Sequence, residues 1–280
     1  MTDSPRFAIV TPYYRETRSI LQRCVQSVQQ QTMAADHFLV ADGFPQTWLD
    51  TEPVRHVKLD RSHGNNGNTP RGIGALIAIA EGYEGIGFLD ADNWFEPRHV
   101  ELCVRAAADA RDKAGIDVDY VIAQRYLRRP DETIIPVRDE PATEHVDTSC
   151  FFMLPGSFGV ISYFGTMPSQ LSCICDRVFY RAIKAHGLKA ALVPERTVNF
   201  HYFYQPAYRA LGEAPPPGAK SAPDAGVIQA WLNSLSPREL LIASRRSGVT
   251  LAQTARDRAE TSDAAPESAG TGGRGRPPRA

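Results

Sequence analysis

Short, continuous apolar runs recur along the first hundred residues and are separated by polar turns. Runs of this kind predict strands that are covered on both faces, as in a parallel sheet between helical layers. The predicted strands are residues 7–10, 37–41, 54–59 and 85–89. We expect the first strand to end at Thr11-Pro12 and the second to end at Asp42-Gly43.

Amphipathic stretches lie between these runs and predict helices. Thr17 is the expected cap of a first helix, in which apolar side chains recur at helical spacing. Thr69-Pro70 predicts a cap followed by proline at the first helical position, opening a helix to about residue 80. A third helix is expected over 97–114. This alternation implies right-handed crossovers and an α/β fold, with a mostly parallel sheet and helices on both faces.

The second half of the chain is less regular. The predicted elements there are strands at 120–126, 150–153, 190–193 and 198–202 and helices at 174–186 and 227–244. Pro215-Pro216-Pro217-Gly218 breaks the chain before the last helix. Residues 257–280 contain almost nothing apolar and predict a disordered tail.

Charge and hydropathy exclude several classes of function. The 31 Lys and Arg are balanced by 32 Asp and Glu, so no basic excess points to a nucleic-acid partner. No apolar stretch approaches the roughly 20 residues needed to cross a bilayer, so no transmembrane segment is expected. The N-terminus has no apolar segment of signal-peptide length, which favours the cytoplasm. The five cysteines have no CxxC spacing and are expected to be reduced, mostly buried thiols.

Polar side chains follow three of the predicted strands at the point where each ends. Residues 11–16 follow the first strand, Asp42 follows the second, and Asp90 and Asp92 follow the fourth. Ligands of such sheets bind beyond the carboxyl ends of the strands. One site at that edge can therefore gather all of these residues.

Asp90-Ala91-Asp92 is the sharpest local feature, because two carboxylates at the end of a buried strand can hold a hard divalent cation together. An EF-hand loop starting at Asp90 would place Trp94 and Phe95 where an oxygen ligand and a glycine are needed. A phosphatase with an aspartyl-phosphate intermediate would use the first carboxylate as nucleophile, but its acidic pair usually follows the first strand. The third interpretation is the metal–diphosphate clamp of a nucleotide-sugar enzyme.

Four segments within residues 7 to 100 carry a family resemblance. They are Ile9-Val10-Thr11-Pro12-Tyr13-Tyr14-Arg15-Glu16, Cys24-Val25-Gln26-Ser27-Val28-Gln29-Gln30-Gln31-Thr32, Val40-Ala41-Asp42-Gly43 and Phe88-Leu89-Asp90-Ala91-Asp92-Asn93-Trp94-Phe95-Glu96-Pro97. In this order they resemble the opening, the first helix end, the nucleotide loop and the Asp-x-Asp segment of family 2 glycosyltransferases. The chain departs from the family pattern at Arg15, Ala41 and Gly74.

The resemblance implies a GT-A fold with a Rossmann-like sheet, and it implies roles for individual residues. The donor-binding residues are expected to be Pro12, Tyr14, Glu16, Asp42, Arg71, Asp90 and Ala91. Asp92 and His201 are the expected ligands of a divalent metal, manganese or magnesium. The expected donor is a nucleoside diphosphate sugar, most simply a UDP-sugar, and the acceptor is an unidentified hydroxyl.

The implied domain covers 1–210, with a nucleotide-sugar half over about 1–115 and an acceptor half over about 116–210. A Pro-rich break and a helical segment at 211–256 follow it, and the tail comes last. Inverting transfer needs a general base, because the attacking hydroxyl loses its proton. The resemblance favours Asp176, at the start of a predicted helix, as this base and leaves Asp147 as a weaker candidate.

Structural roles compete with these assignments. Asp176 can serve only as a helix cap, and Asp42 only as a turn carboxylate. Arg71 can be a solvated helix residue, Tyr14 a packing aromatic, and His201 a histidine packed among aromatic side chains.

Two other functions also remain open. A sugar-binding or scaffold protein can keep the fold without turnover, although the intact Asp90 and Asp92 argue against it. A nucleotidyltransferase is built on a similar sheet, but it is expected to have a glycine-rich loop after the first strand. Residues 11–16 contain no glycine.

Overall fold

The computed structural model describes residues 5–136 and 145–251. Its strands are β1 (Phe7–Tyr13), β2 (Asp36–Ala41), β3 (Arg55–Lys58), β4 (Gly85–Phe88), β5 (Trp94–Phe95), β6 (Tyr120–Arg128), β7 (Phe151–Met153) and β8 (Ala190–His201). Its α-helices are α1 (Arg18–Gln29), α2 (Asn68–Ala80), α3 (His99–Ala114), α4 (Phe158–Thr166), α5 (Cys175–Ala185), α6 (Gln205–Ala210), α7 (Ala225–Ser234) and α8 (Pro237–Ser247). None of the helices in these two ranges is long and apolar enough to cross a bilayer.

The strands form one sheet in the order β3-β2-β1-β4-β7-β6-β8-β5. The four strands of the first half, β3, β2, β1 and β4, are parallel, which confirms the predicted α/β fold. Strand β7 runs antiparallel to both β4 and β6, and β5 runs antiparallel to β8. The regular crossover pattern therefore holds for the first half and changes where the second half joins the sheet.

Strand β1 runs through Tyr13, so the expected end at Thr11-Pro12 was wrong. Strand β4 pairs with β1 only from Phe7 to Val10, whereas β2 pairs with it as far as Tyr13. Beyond Val10, β1 has a partner on one side only, and a proline that lacks an N–H is tolerated at such an unpaired edge. The extension carries Pro12 and Tyr13 to the edge where ligands bind.

Helix α2 begins at Asn68, two residues earlier than the sequence predicts. Gly67 occupies the position before the helix with a φ of 76°, a left-handed conformation that favours glycine. Thr69 is inside the helix, and its N–H donates to the Asn65 side chain at 3.2 Å. Asn65, rather than Thr69, therefore serves the free N–H groups of this helix start.

The packing of α2 on the sheet explains why glycine stands at position 74. A Cβ atom there would lie 2.7 Å from side-chain carbons of both Val10 and Val40, which is closer than van der Waals contact. The absence of a side chain lets α2 lie directly on β1 and β2. This close approach fixes Arg71, three residues earlier, at the carboxyl edge of these strands.

The second half differs from its predicted elements in three ways. The extended runs 190–193 and 198–202 are parts of one strand, β8, whose register against β6 shifts between them. The single amphipathic helix expected over 227–244 is two helices, because Ser236 caps α8 and Pro237 opens it. Helices α4 and α6 were both missed. The predicted tail at 257–280 lies outside the described residues.

Candidate active site

Four carboxylates from three parts of the chain face one another at the carboxyl edge of β4. Burial and the charge of Asp90 raise the pKa of Asp92 to about 7. Burial raises the pKa of Asp147 to about 6; the charges of Asp90 and Asp176 also raise it, while the Arg125 guanidinium opposes them. These mutual effects place Asp90, Asp92, Asp147 and Asp176 in one electrostatic cluster.

Arg71 supplies the buried positive charge of this cluster. It is 2% exposed and donates to Asp90 Oδ1 at 2.6 Å and to Asn68 Oδ1 at 3.0 Å. The alternative of a solvated helix residue is therefore wrong. A buried guanidinium with a carboxylate partner is costly to uncouple, so the pair fixes the orientation of Asp90.

Residues 145–149 form a hub segment that bonds to the rest of the site through every second residue. His145 Nε2 lies 2.5 Å from Asp176 Oδ2, and Arg125 Nη1 lies 3.1 Å from Asp147 Oδ2. Ser149 Oγ accepts from the backbone N–H of Asp90 at 3.2 Å. The hub segment thereby links α5, β6 and the loop after β4. Of its polar residues, the sequence pointed only to Asp147.

Asp176 lies in the first turn of α5 and has donors on both oxygens. Oδ2 faces His145, and Oδ1 accepts the N–H of Arg177 at 2.7 Å. Burial by itself would raise the pKa of Asp176, but the hydrogen bond and charge of His145 and the Arg177 N–H outweigh it and hold the pKa below its usual value. Asp176 is therefore held in its ionised form, which is the form that can accept a proton.

The loop that carries Asp92 is held from outside by Arg23 of α1. The guanidinium donates to the Asp92 carbonyl oxygen at 2.9 Å and lies 3.9 Å from the centre of the Trp94 ring. It also pairs with Glu132 at 2.8 Å. The charge of Glu16 contributes to the raised pKa of Asp92, which places this predicted donor residue beside the cluster.

His201 lies next to the same loop. Its backbone N–H donates to Asn93 Oδ1 at 2.9 Å, and its ring stacks on Phe203. Burial and the charge of Arg23 lower the pKa of the imidazole. Within 5–136 and 145–251, no three His, Cys, Asp or Glu side chains form a group that could hold a metal ion.

The donor set nevertheless suits a hard divalent cation that takes its other ligands from a substrate and from water. Asp92 is a carboxylate whose ionised form is disfavoured by burial and by Asp90. A cation beside it would offset both effects, and Mg²⁺ usually binds through one or two carboxylates plus phosphate oxygens.

Exposed aromatic side chains lie at the same edge of the sheet, after β1 and β2. Tyr14 is 41% exposed, so it is not a buried packing residue, and its ring meets Phe44 edge-on at 4.8 Å. The Arg15 guanidinium lies 4.0 Å from the Phe44 ring centre. Glu16 accepts the Tyr14 N–H at 2.7 Å and so fixes the turn. The sequence did not single out Phe44.

The Asp42 carboxylate forms hydrogen bonds with the loop that follows β3. It accepts from the N–H of His63 at 3.0 Å and lies 2.8 Å from His63 Nδ1. A Cβ on Gly43 would meet the Ser62 nitrogen at 2.4 Å, so the two loops pack backbone to backbone. Asp42 thus joins two loops instead of capping its own turn.

Two further predicted donor residues offer backbone or packing atoms rather than polar side chains. Pro12 is buried, and a Cβ on Gly67 would lie 2.9 Å from its Cγ. Ala91 is 4% exposed and belongs to an apolar cluster with Tyr13 and Leu21. The Ala91 methyl group therefore faces the core, and only its backbone remains for a ligand.

Tyr204 is a site residue that the sequence did not reveal. It follows β8, and burial together with the charges of all four site carboxylates raises the pKa of its hydroxyl to about 12. Its backbone forms a bridge with Lys220, whose Nζ lies 5.9 Å from the ring centre. The segment after the Pro-rich break therefore reaches the edge of the carboxylate cluster.

Comparison with known proteins places this geometry in a family. The family described as glycosyl transferase family 2 matches residues 8–165, more than half of the chain. EpsH of Bacillus subtilis (strain 168), which is named as a glycosyltransferase, is 28% identical over 149 residues, or 48% of this chain. That match spans 42% of EpsH, so the chain corresponds to less than half of this relative.

A solved structure shares the fold at low sequence identity. The crystal structure of S. aureus TarS 1–349 in complex with UDP has a TM-score of 0.50 and 12% identity, covering 86% of this chain and 70% of TarS 1–349.

Proposed function

The chain belongs to glycosyl transferase family 2, and from that premise we propose that it transfers a sugar from a nucleoside diphosphate sugar to an acceptor hydroxyl with inversion. The observation that carries the proposal is the carboxylate cluster, in which neighbouring acids have opposite shifts of pKa. Such divergence is typical of sites that assign acid, base and ligand roles to similar groups.

The donor half of the site is proposed to hold a UDP-sugar across the ends of β1, β2 and β4. The fold shared with TarS, which has been crystallised with UDP, supports this choice. The contact between Arg71 and Asp90 fixes the loop after β4. The same edge of the sheet carries Tyr14, Glu16 and Asp42. The exposed ring of Tyr14 suits one face of a nucleobase.

A divalent metal, manganese or magnesium, is proposed to bind at Asp92 with His201 as a further ligand. When bound, it would act as a Lewis acid that neutralises the charge developing on the departing diphosphate. Arg23 of α1 donates to the Asp92 carbonyl oxygen and so fixes the backbone that carries this carboxylate.

The proposed base is Asp176. An acceptor hydroxyl that reaches this carboxylate gives up its proton as its oxygen attacks the anomeric carbon. The bond from that carbon to the diphosphate breaks, and its electron pair leaves with the diphosphate. Asp147, which Arg125 holds at 3.1 Å, is proposed to line the acceptor side.

Thermal shift of the full chain tests the donor and metal sites together. UDP, GDP and their glucose conjugates are titrated with and without Mn²⁺, because a ligand that binds the native state raises the melting temperature. We expect a UDP-dependent rise that requires Mn²⁺, its loss in Asp92→Asn, and its retention in Asp109→Asn. Asp109 is a suitable control because it forms an exposed surface pair with Lys113.

An unchanged Mn²⁺ dependence in Asp92→Asn would remove Asp92 from the metal site. The absence of a shift with every nucleotide would contradict the proposed donor class.

A further inference from the structure

The His145–Asp176 contact is a close side-chain contact within the carboxylate cluster, and the transfer step described above assigns no part to His145. His145 Nε2 lies 2.5 Å from Asp176 Oδ2, and the two side chains are 10% and 24% exposed. The partners are 31 residues apart in the chain, so the fold brings them together. A carboxylate can only accept, so Nε2 carries the hydrogen and donates it.

The two donors to Asp176 fix the plane of its carboxylate. Oδ1 is held by the backbone N–H of Arg177 and Oδ2 by His145. Each carboxylate oxygen can accept two hydrogen bonds, so an oxygen that already has one donor can accept a second from a substrate hydroxyl. The backbone of Asp90 is also fixed, because its N–H donates to Ser149 of the hub segment.

A comparison of Asp147, in the hub segment, with Asp176, in α5, indicates the contribution of His145. Asp147 and Asp176 are both buried and repel each other, yet the pKa of Asp147 is raised to about 6 while that of Asp176 is lowered. Asp147 has Arg125 at 3.1 Å, a longer contact than the one between His145 and Asp176. Among the effects that lower the pKa of Asp176, the hydrogen bond and the charge of His145 come first.

Resting on the proposed function, we propose that His145 is the positioning residue of the base: its Nε2–H holds the Asp176 carboxylate in the orientation that accepts the acceptor's proton. The proton passes from the acceptor hydroxyl to Asp176, the new bond forms between the acceptor oxygen and the anomeric carbon, and the diphosphate leaves with the electron pair. His145 exchanges no proton in this step.

Several titratable and charged groups lie around Asp176 and influence its titration. His145 and Asp147 face it from the hub segment, Cys175 and Arg177 from α5, Asp90 from the end of β4, and the Tyr204 hydroxyl from the residues after β8. Arg71 of α2 faces Cys175 on the same side. The test therefore changes His145 alone and leaves every other charge in place.

Two readouts on the full chain test the proposal. The first is the titration of the Asp176 side-chain carboxyl by ¹³C NMR in the parent and in His145→Phe, which keeps a ring and removes the donor. The second is the pH dependence of UDP release from UDP-glucose with Mn²⁺, in which water replaces the unidentified acceptor. His145→Gln retains an uncharged N–H donor, and His186→Phe is a control at the far end of α5.

We expect the Asp176 titration to move to higher pH in His145→Phe. Turnover should fall about tenfold or more, a part of the usual contribution of a general base, with KM for UDP-glucose nearly unchanged. The acidic limb of the rate profile should move to higher pH, because the base then protonates more easily. His145→Gln should recover most of the turnover, and His186→Phe should behave as the parent.

An unmoved Asp176 titration in His145→Phe overturns the proposal, even where water proves a poor acceptor. A loss of turnover with an unmoved acidic limb and no recovery in His145→Gln also overturns it, because that pattern belongs to a purely structural residue. Asp176→Asn separates this failure from failure of the proposed function: if it keeps full turnover, the base assignment itself is wrong.

Discussion

The loop after β4 and the hub segment with the start of α5 both contribute carboxylates to the site, but they are built differently. Asp90 and Asp92 lie two residues apart, at the end of a strand in the parallel half of the sheet. Asp176 meets its partner across 31 residues, where the sheet has become antiparallel around β7. The first pair is placed by a strand end and is then held by Arg71 and Arg23, whereas the second is brought together by side-chain contacts between distant parts of the chain.

Because of this difference, we expect the two regions to respond to different kinds of substitution. In the parallel half, the tight packing of α2 on β1 and β2 sets the geometry, so volume changes should matter most. In the hub segment, hydrogen bonds to individual side chains set the geometry, so exchanges of donor and acceptor should matter most.

The largest expected effect compares the two carboxylates of the second region. Asp176→Asn keeps the shape and the helix position but cannot accept the proton, and turnover should fall on the order of a hundredfold or more. Asp147→Asn should cost much less, because Asp147 faces Arg125. UDP release from UDP-glucose measures both. A larger loss of turnover in Asp147→Asn than in Asp176→Asn would make Asp147, and not Asp176, the proposed base.

Next in size is a packing change in the first region. Gly74→Ala places a methyl group 2.7 Å from Val10 and Val40 and should destabilise the fold by about 1–3 kcal/mol. Gly159→Ala, in α4 with open space around it, should stabilise by up to about 0.5–1 kcal/mol. Urea unfolding followed by circular dichroism measures both. Equal effects would show that α2 can shift on the sheet.

Acid should weaken the fold through buried histidines. Burial lowers the pKa of His37 and of His99 to about 3. Between about pH 6.5 and 3 the unfolded chain therefore binds more protons, and stability is lost as the pH falls. Each histidine contributes a slope of at most about 1.4 kcal/mol per pH unit.

His99→Gln should flatten the dependence of unfolding free energy on pH in this window. His186→Gln, at the end of α5, should leave the slope as it is. The contrary finding would be identical slopes in His99→Gln and the parent.

The smallest expected effects concern two helix starts. Ser236 forms a reciprocal capping box with Glu239 at the start of α8, and Ser236→Ala should cost about 1 kcal/mol. Thr17 precedes α1 without a side-chain capping bond, so Thr17→Ala should cost only a few tenths of a kcal/mol, below the usual range for a cap. Thermal melts compare the two. A loss in Thr17→Ala as large as in Ser236→Ala would show a cap that forms in solution.

Sequence patterns could predict the parallel half because its signals are local. The strand end before Asp90, the apolar face of α1 and the proline near the start of α2 each depend on residues within one or two turns of chain. The expectation that Asp90 and Asp92 serve a ligand follows from their spacing and from the rule that ligands bind at the strand ends.

The contacts of the second half could not be predicted in the same way. Nothing near His145 in the chain indicates Asp176, and the position of Tyr204 depends on where β8 ends and how Lys220 returns to it. The burial of Arg71 depends on Gly74, whose meaning appears only when α2 lies on the sheet. Long-range packing therefore decides the partners, while local pattern decides the elements.

The unequal burial of the cysteines makes the protein suited to selective labelling. Cys24, Cys103 and Cys150 are buried, Cys175 is partly covered, and Cys173 is exposed. Burial raises the pKa of the thiols of Cys24 and Cys175 to about 12, so little of either is present as reactive thiolate. A maleimide fluorophore would therefore attach at Cys173, three residues before Asp176, and its emission would report on ligands entering the acceptor side.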